Sequence, residues 1–344
     1  MASRQVNRTK RWIKRLLLAT GVALAVTLLI TGSAYWWWFK APYTLTADVV
    51  YGRRDDTPLL LDVFSPPKPN GAGVVLMVSG GWKSGPGSVK PYLFAPFIRR
   101  GYTVFAVRHV SQPFCKISDI VDDVTRSVRF IRHHAKEYDV DPNRLGVIGG
   151  SSGGHLSLML GTRGDAGDPD AGDEIERESS EVQCVACFYP PTDLLNLGES
   201  TENPGDGGPP KSFRAGFGPR AETMQSWKIL GRELSPIYHI TAEMPPTMIV
   251  HGDADTLVTI DQSERFIEQA IREGCTVKFE RRPGKGHGWP TMVMDIIRFA
   301  DWFDQHLSPA VEASLDEVKP ESPESPEVPA ESPSEVPSGS PPTI

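Results

Sequence analysis

Between residues 16 and 39 the chain runs for 24 positions without a charged side chain. As a helix this run reaches about 36 Å, more than the ~30 Å hydrocarbon thickness of a bilayer. Beyond it the pattern changes. Residues 48–51 and 59–64 alternate across two faces and predict a hairpin that turns at Arg53-Arg54-Asp55-Asp56. Apolar runs then become continuous at 73–79, 103–107, 145–148, 182–189, 247–251 and 276–281, as strands buried on both faces require. Between them, helices are predicted over 89–100, 117–138, 153–160, 261–273 and 291–306. Ile117, Ile120, Val121, Val124, Val128 and Ile131 recur at helical spacing and form one stripe. Strands alternating with helices predict an α/β fold, a mostly parallel central sheet covered on both faces.

Two segments break the alternation. Residues 161–181 are acidic (Asp165, Asp168, Asp170, Asp173, Glu174), without the regular carboxylate spacing of a calcium loop, and read as a solvated loop. Residues 190–240, rich in Pro and Gly around a helical piece at 221–230, fall between two strands and are expected to form a lid insertion. Phe213, Phe217 and Trp227 within it suit either a substrate pocket or ordinary packing.

The charge is unevenly placed. Residues 1–15 hold six basic side chains and no acid, whereas 311–344 hold eight acids, eight prolines and one lysine. The basic segment favours an N-terminus inside and the rest of the chain outside the cytoplasm. Tyr35-Trp36-Trp37-Trp38-Phe39 sits where an interfacial aromatic belt belongs. A single-pass anchor at 16–39 is therefore expected; the alternative is a signal peptide cleaved near Gly32-Ser33-Ala34, giving a secreted or periplasmic protein. The tail at 311–344 is expected to be disordered, since it has too few apolar residues to offset its ordering entropy. The middle of the chain is mildly acidic and has no basic stripe, which excludes nucleic acid as an expected partner. Cys184 and Cys187, three apart on a predicted strand, point to opposite faces and read as small buried hydrophobes. Oligomeric state is not legible.

The chemistry centres on residues 145–160. A short strand leads into Gly150-Ser151-Ser152-Gly153-Gly154, a G-x-S-x-G match centred on Ser152, and then into a helix start. A nucleophile at the tip of a strand-to-helix turn needs neighbours without side chains, and the helix end beyond it favours a developing oxyanion. A serine hydroxyl also needs a histidine to take its proton and a carboxylate to hold that histidine. Downstream, HGDADTLV offers Asp253 and Asp255, and PGKGHGW offers His287 between two glycines after the last strand. His109, His155, His239 and His251 read as structural.

These motifs resemble an α/β-hydrolase, in the esterase branch that contains bifunctional feruloyl/acetyl-xylan esterases and is related to prolyl-oligopeptidase catalytic domains. The resemblance spans about residues 43–307. It implies Ser152 as nucleophile, Asp255 (the second carboxylate of H-G-x-x-D-x-x-V) as acid, His287 as base and Gly153 as one oxyanion donor. The family's H-G-G-G-W loop is replaced by Val78-Ser79-Gly80-Gly81-Trp82, so the second donor is the backbone of Gly81 or Trp82. The function expected is a membrane-anchored serine hydrolase acting on small-molecule or carbohydrate esters, with no metal or cofactor. The alternatives are an exopeptidase of the prolyl-oligopeptidase type and a non-catalytic scaffold that binds a ligand or partner.

Overall fold

The computed structural model describes residues 2–308; the tail expected to be disordered, 311–344, lies outside them. Helix α1 (Ala2–Phe39) is followed by the hairpin β1 (Thr44–Arg54) and β2 (Thr57–Ser65). The turn between them places Asp55 at φ 50°, a left-handed geometry that aspartate tolerates. Then come β3 (Gly71–Met77), α2 (Ala95–Arg99), β4 (Thr103–Val107), α3 (Ile117–His133), β5 (Val140–Gly150) and α4 (Ser152–Arg163). The chain closes with β6 (Cys184–Phe188), α5 (Met224–Glu233), β7 (Thr247–Gly252), α6 (Asp261–Arg272), β8 (Val277–Arg282) and α7 (Met292–Leu307).

The eight strands form one sheet in the order β1-β2-β4-β3-β5-β6-β7-β8. Only the first two strands run antiparallel to their neighbours; β3 to β8 pair in parallel. Parallel pairing brings the carboxyl ends of β3, β5 and β7 to one edge, where loops can converge on a site. Alternate residues of each strand feed two core layers. Val75, Phe105, Val147, Cys187 and Ile249 pack in one layer with the α3 stripe. Val74, Val104, Ile148, Cys184 and Val250 pack in the other with α2 and α7. Cys184 and Cys187 thus lie on opposite faces, both free and buried.

The helix expected over 89–100 is broken. Pro91 opens a separate three-residue turn, and α2 starts only at Ala95, with Pro96 in its first turn, where no N–H is needed. Similarly α3 stops at His133, and Ala135–Tyr138 forms a tighter turn. The acidic stretch after α4 is a largely exposed loop, as expected, and it is also tied down. Arg126 holds Asp173 at 2.7 Å and Arg129 holds Asp165 at 2.7 Å, which latches the stretch onto α3.

Helix α1 carries the one stretch among the described residues that is long and apolar enough to cross a membrane, Lys10–Phe39. Its end is tied to the rest of the molecule. The Arg99 guanidinium donates to the carbonyls of Trp37, Trp38 and Lys40 and lies over the Trp37 ring.

Candidate active site

Strand β5 ends in a sharp corner before α4. Ser151 occupies that corner with φ 55° and ψ −123°, a conformation non-glycine residues rarely adopt. The glycines around it explain the geometry. A Cβ on Gly149 would lie 2.3 Å from the Gly153 carbonyl oxygen, and one on Gly153 would lie 2.7 Å from the Met77 carbonyl oxygen. Gly150, by contrast, has nothing nearer than 3.6 Å. Both glycines that bracket Ser151, Gly149 and Gly153, are therefore demanded by the fold, whereas of the pair around Ser152 only Gly154 is, its Cβ position lying 2.9 Å from the Phe188 carbonyl oxygen. The motif is in register one residue earlier than the sequence reading placed it.

The side chains agree. His287 Nε2 lies 2.9 Å from Ser151 Oγ, and His287 Nδ1 lies 2.7 Å from Asp255 Oδ2. With Nδ1–H donating to the carboxylate, Nε2 is left to accept the Ser151 hydroxyl proton. Ser152, the expected nucleophile, is not brought to His287. It is 1 % exposed, opens α4, and its Oγ contacts Ser79 Oγ at 3.1 Å. Ser79 in turn meets His109 Nε2 at 2.9 Å. The reason for the correction is direction: the strained corner turns the Ser151 hydroxyl toward the imidazole, while helical angles turn that of Ser152 toward β3. Consequently the residue after the corner serine is Ser152, not Gly153, and Gly153 is the close-packing glycine.

The carboxylate is well supported. Burial alone would raise the Asp255 carboxyl, but hydrogen bonds from His251 and His287, the His287 charge and the Val258 N–H hold it well below the usual carboxylate range. His251, read as structural, has its Nε2 2.8 Å from the Val258 carbonyl and 3.4 Å from Asp255. Its place four residues before Asp255 was the available signal. Asp253 accepts instead from the Gly284 N–H at 2.6 Å, which caps the loop carrying His287. Tyr189 was missed by the sequence reading. Its ring sits 4.4 Å from the His287 ring, and burial with the nearby Asp255 charge pushes its phenol up to about 12.

Across the site, the loop after β3 holds Gly81 and Trp82 at φ 58° and 53°. Mutual backbone bonds between Gly80 and Lys83 close this loop, and Gln112 Nε2 donates to the Gly81 carbonyl at 3.2 Å. Among the described residues the N–H groups of Gly81, Trp82 and Ser152 have no acceptor. The Trp82 indole N–H donates to His155 Nδ1 at 3.2 Å, while His155 Nε2–H donates to the Leu234 carbonyl at 2.7 Å. That pair of bonds requires the neutral imidazole, and burial pushes His155 down to about 4. Ser151 and His287 open on a largely apolar cavity of about 750 Å³. Phe213 of the 190–240 segment lines it, whereas Phe217 and Trp227 pack into the core behind. Among the described residues no group of three or more His, Cys, Asp or Glu is gathered as metal ligands.

A family model, BD-FAE, matches residues 61–270. Among curated proteins the chain is similar to the probable carboxylic ester hydrolase LipM of Mycobacterium tuberculosis, 29% identical over 64% of this chain and 49% of that protein. It is also similar to a probable isoprenylcysteine alpha-carbonyl methylesterase of Arabidopsis thaliana, 28% identical over 80% of this chain and 57% of that one. The chain spans about half the length of these curated relatives. Among solved structures, Thermogutta terrifontis esterase 2 aligns with TM-score 0.58 at 26% identity, covering 77% of this chain and 94% of that one. An acetyl ester-xyloside bifunctional hydrolase from Caldicellulosiruptor lactoaceticus shares the fold, with TM-score 0.60 at 22% identity over 76% and 94%.

Proposed function

The chain belongs to the BD-FAE family and has the α/β-hydrolase fold, and on that premise we propose that it is a carboxylic ester hydrolase working through a covalent acyl-enzyme on Ser151. The observation that carries the reading is the connected line from Ser151 Oγ to His287 Nε2 at 2.9 Å and from His287 Nδ1 to Asp255 at 2.7 Å. In the first step Ser151 Oγ attacks the ester carbonyl as its proton passes to His287 Nε2. Asp255 keeps the ring in the required tautomer and stabilises the imidazolium. The oxyanion is met by the N–H of Ser152, at the positive end of α4, and by that of Gly81 or Trp82. The tetrahedral intermediate expels the alkoxide, which takes the proton from His287. Water then attacks the acyl-enzyme by the same relay in reverse roles, releasing the acid and restoring Ser151.

The N-terminal helix serves in this reading as a single-pass anchor, with its six basic residues inside and the hydrolase outside the cytoplasm. Residues 190–240 act as a lid that supplies Phe213 to the cavity. Acylated carbohydrates are one substrate class to examine. Hydrolysis of p-nitrophenyl acetate together with fluorophosphonate labelling mapped to Ser151 tests the assignment. A protein that cleaves only aminoacyl anilides is a peptidase, and one that neither cleaves nor labels is a binding scaffold; either result overturns the proposal.

A further inference from the structure

On the side of α1 the catalytic cavity adjoins a second one. Leu93 and Met292 line the first, and the same two side chains line the second, a cavity of about 1040 Å³ at the foot of α1. The other walls of that second space are mostly apolar or aromatic, with Trp36 and Phe39 from α1, Tyr92 from the turn before α2, and Pro290 and Val293 beside the start of α7. Among the described residues the one charged group there is Lys40, whose ammonium lies over the Trp36 ring at 4.5 Å. Tyr92 is 50% exposed and Met294, on the same turn of α7, is 49% exposed. The foot of α1 is held in place by the Arg99 bonds to its last carbonyls and by Ala41, buried in the same core layer as Phe94 and Trp289. The two cavities thus adjoin across Leu93 and Met292, one reaching the level of the aromatic belt and the other Ser151.

We propose that the two cavities join past Leu93 and Met292 to admit an ester whose long alkyl chain is drawn directly from the bilayer, the chain lying in the α1 groove while its carbonyl reaches Ser151. The proposal rests on the esterase and anchor readings above and names their substrate class: a membrane-resident amphiphilic ester. The physical reason is continuity. A long chain leaving a bilayer for a solvent-facing pocket exposes every methylene to water on the way, whereas this route keeps it against mostly apolar walls. A water-soluble acetylated sugar has no use for such a groove.

The full-length protein, reconstituted in phosphatidylcholine vesicles, is assayed on p-nitrophenyl palmitate in the vesicles and on p-nitrophenyl acetate in solution. Tyr92→Glu and Val293→Glu each put a charge in the groove without lining the catalytic cavity. Each is expected to lower the ratio of palmitate to acetate turnover by about tenfold or more. Tyr92 is half exposed, so its variant carries the test even if Val293→Glu fails to fold. Wild-type protein that cleaves acetate but leaves palmitate untouched, or a ratio unchanged in Tyr92→Glu, overturns the groove. Wild type that cleaves neither ester sinks the esterase reading, and the proposal falls with it.

Discussion

The adjacent serines offer the sharpest test, because the two substitutions Ser151→Ala and Ser152→Ala should behave very differently. Ser151 Oγ faces His287 Nε2 at 2.9 Å, so under the proposed mechanism its removal deletes the nucleophile and leaves only the oxyanion donors and substrate binding. In triad enzymes such a remnant accounts for a rate ~10³–10⁴ above water, and loss of the serine lowers turnover by ~10⁴–10⁶. That loss corresponds to roughly 5–8 kcal/mol of barrier. Ser152→Ala removes a hydroxyl 3.1 Å from Ser79, but Ser79 still meets His109 at 2.9 Å, so no buried donor is orphaned. The Ser152 backbone N–H, the group aimed at the oxyanion, survives. The expected effect is about 1 kcal/mol of stability and less than about tenfold in rate. Both variants would be assayed on p-nitrophenyl acetate, with a fluorophosphonate adduct located by peptide mass mapping. An adduct on Ser152, or near-wild-type turnover in Ser151→Ala, refutes the register argued from the glycines and the relay.

Further outcomes follow from the same geometry. Gly150→Ala, with no atom nearer than 3.6 Å to its Cβ, should retain activity within about tenfold, while Gly149→Ala, 2.3 Å from the Gly153 carbonyl, should abolish it; equal tolerance at both sites counts against the corner. Asp255→Asn keeps the shape but disrupts the His287 tautomer, so kcat should drop by ~10³–10⁴ with little change in KM, measured by steady-state kinetics. Acid should destabilise the fold in two stages. Above about pH 6.5 native and unfolded His155 are both neutral. As pH falls from there toward the native value of about 4, the unfolded chain binds a proton that the buried ring refuses. Stability then declines by up to about 3 kcal/mol. Below about pH 4 the contribution of Asp255, complete at higher pH because its carboxyl is held low, is lost in turn. Urea midpoints at about pH 7 and about pH 5 should converge for His155→Gln relative to wild type, and an unchanged gap would show that His155 is not the group responsible.

Much of this architecture is legible along the chain because its causes are local. Continuous apolar runs require strands covered on both faces, and the α3 stripe requires one buried side. His287 and the pair Asp253 and Asp255 stand out because each follows a strand whose carboxyl end must face the site; the resemblance, not the position, favoured Asp255. The shortened α2 was also foreseeable, from Pro91 and Pro96, whereas the latching of the acidic stretch by Arg126 and Arg129 depends on a helix far away in sequence.

What the sequence by itself determined was the alternation of strands and helices and a short set of candidates for the relay, His287 with Asp253 or Asp255. It placed the nucleophile at Ser152, although Gly149-Gly150-Ser151-Ser152-Gly153 satisfies the same pattern one residue earlier. Only the tertiary structure chose between the two serines, because the choice depends on which backbone atoms stand where a Cβ would go. Gly149 packs against Gly153, and Gly153 against the Met77 carbonyl of a strand more than seventy residues earlier. The same holds for the cavity at the foot of α1, whose walls come from segments that meet only when the sheet has assembled. Local spacing sets which residues are available; the direction of each hydroxyl and the continuity of each cavity are set by contacts between distant parts of the chain.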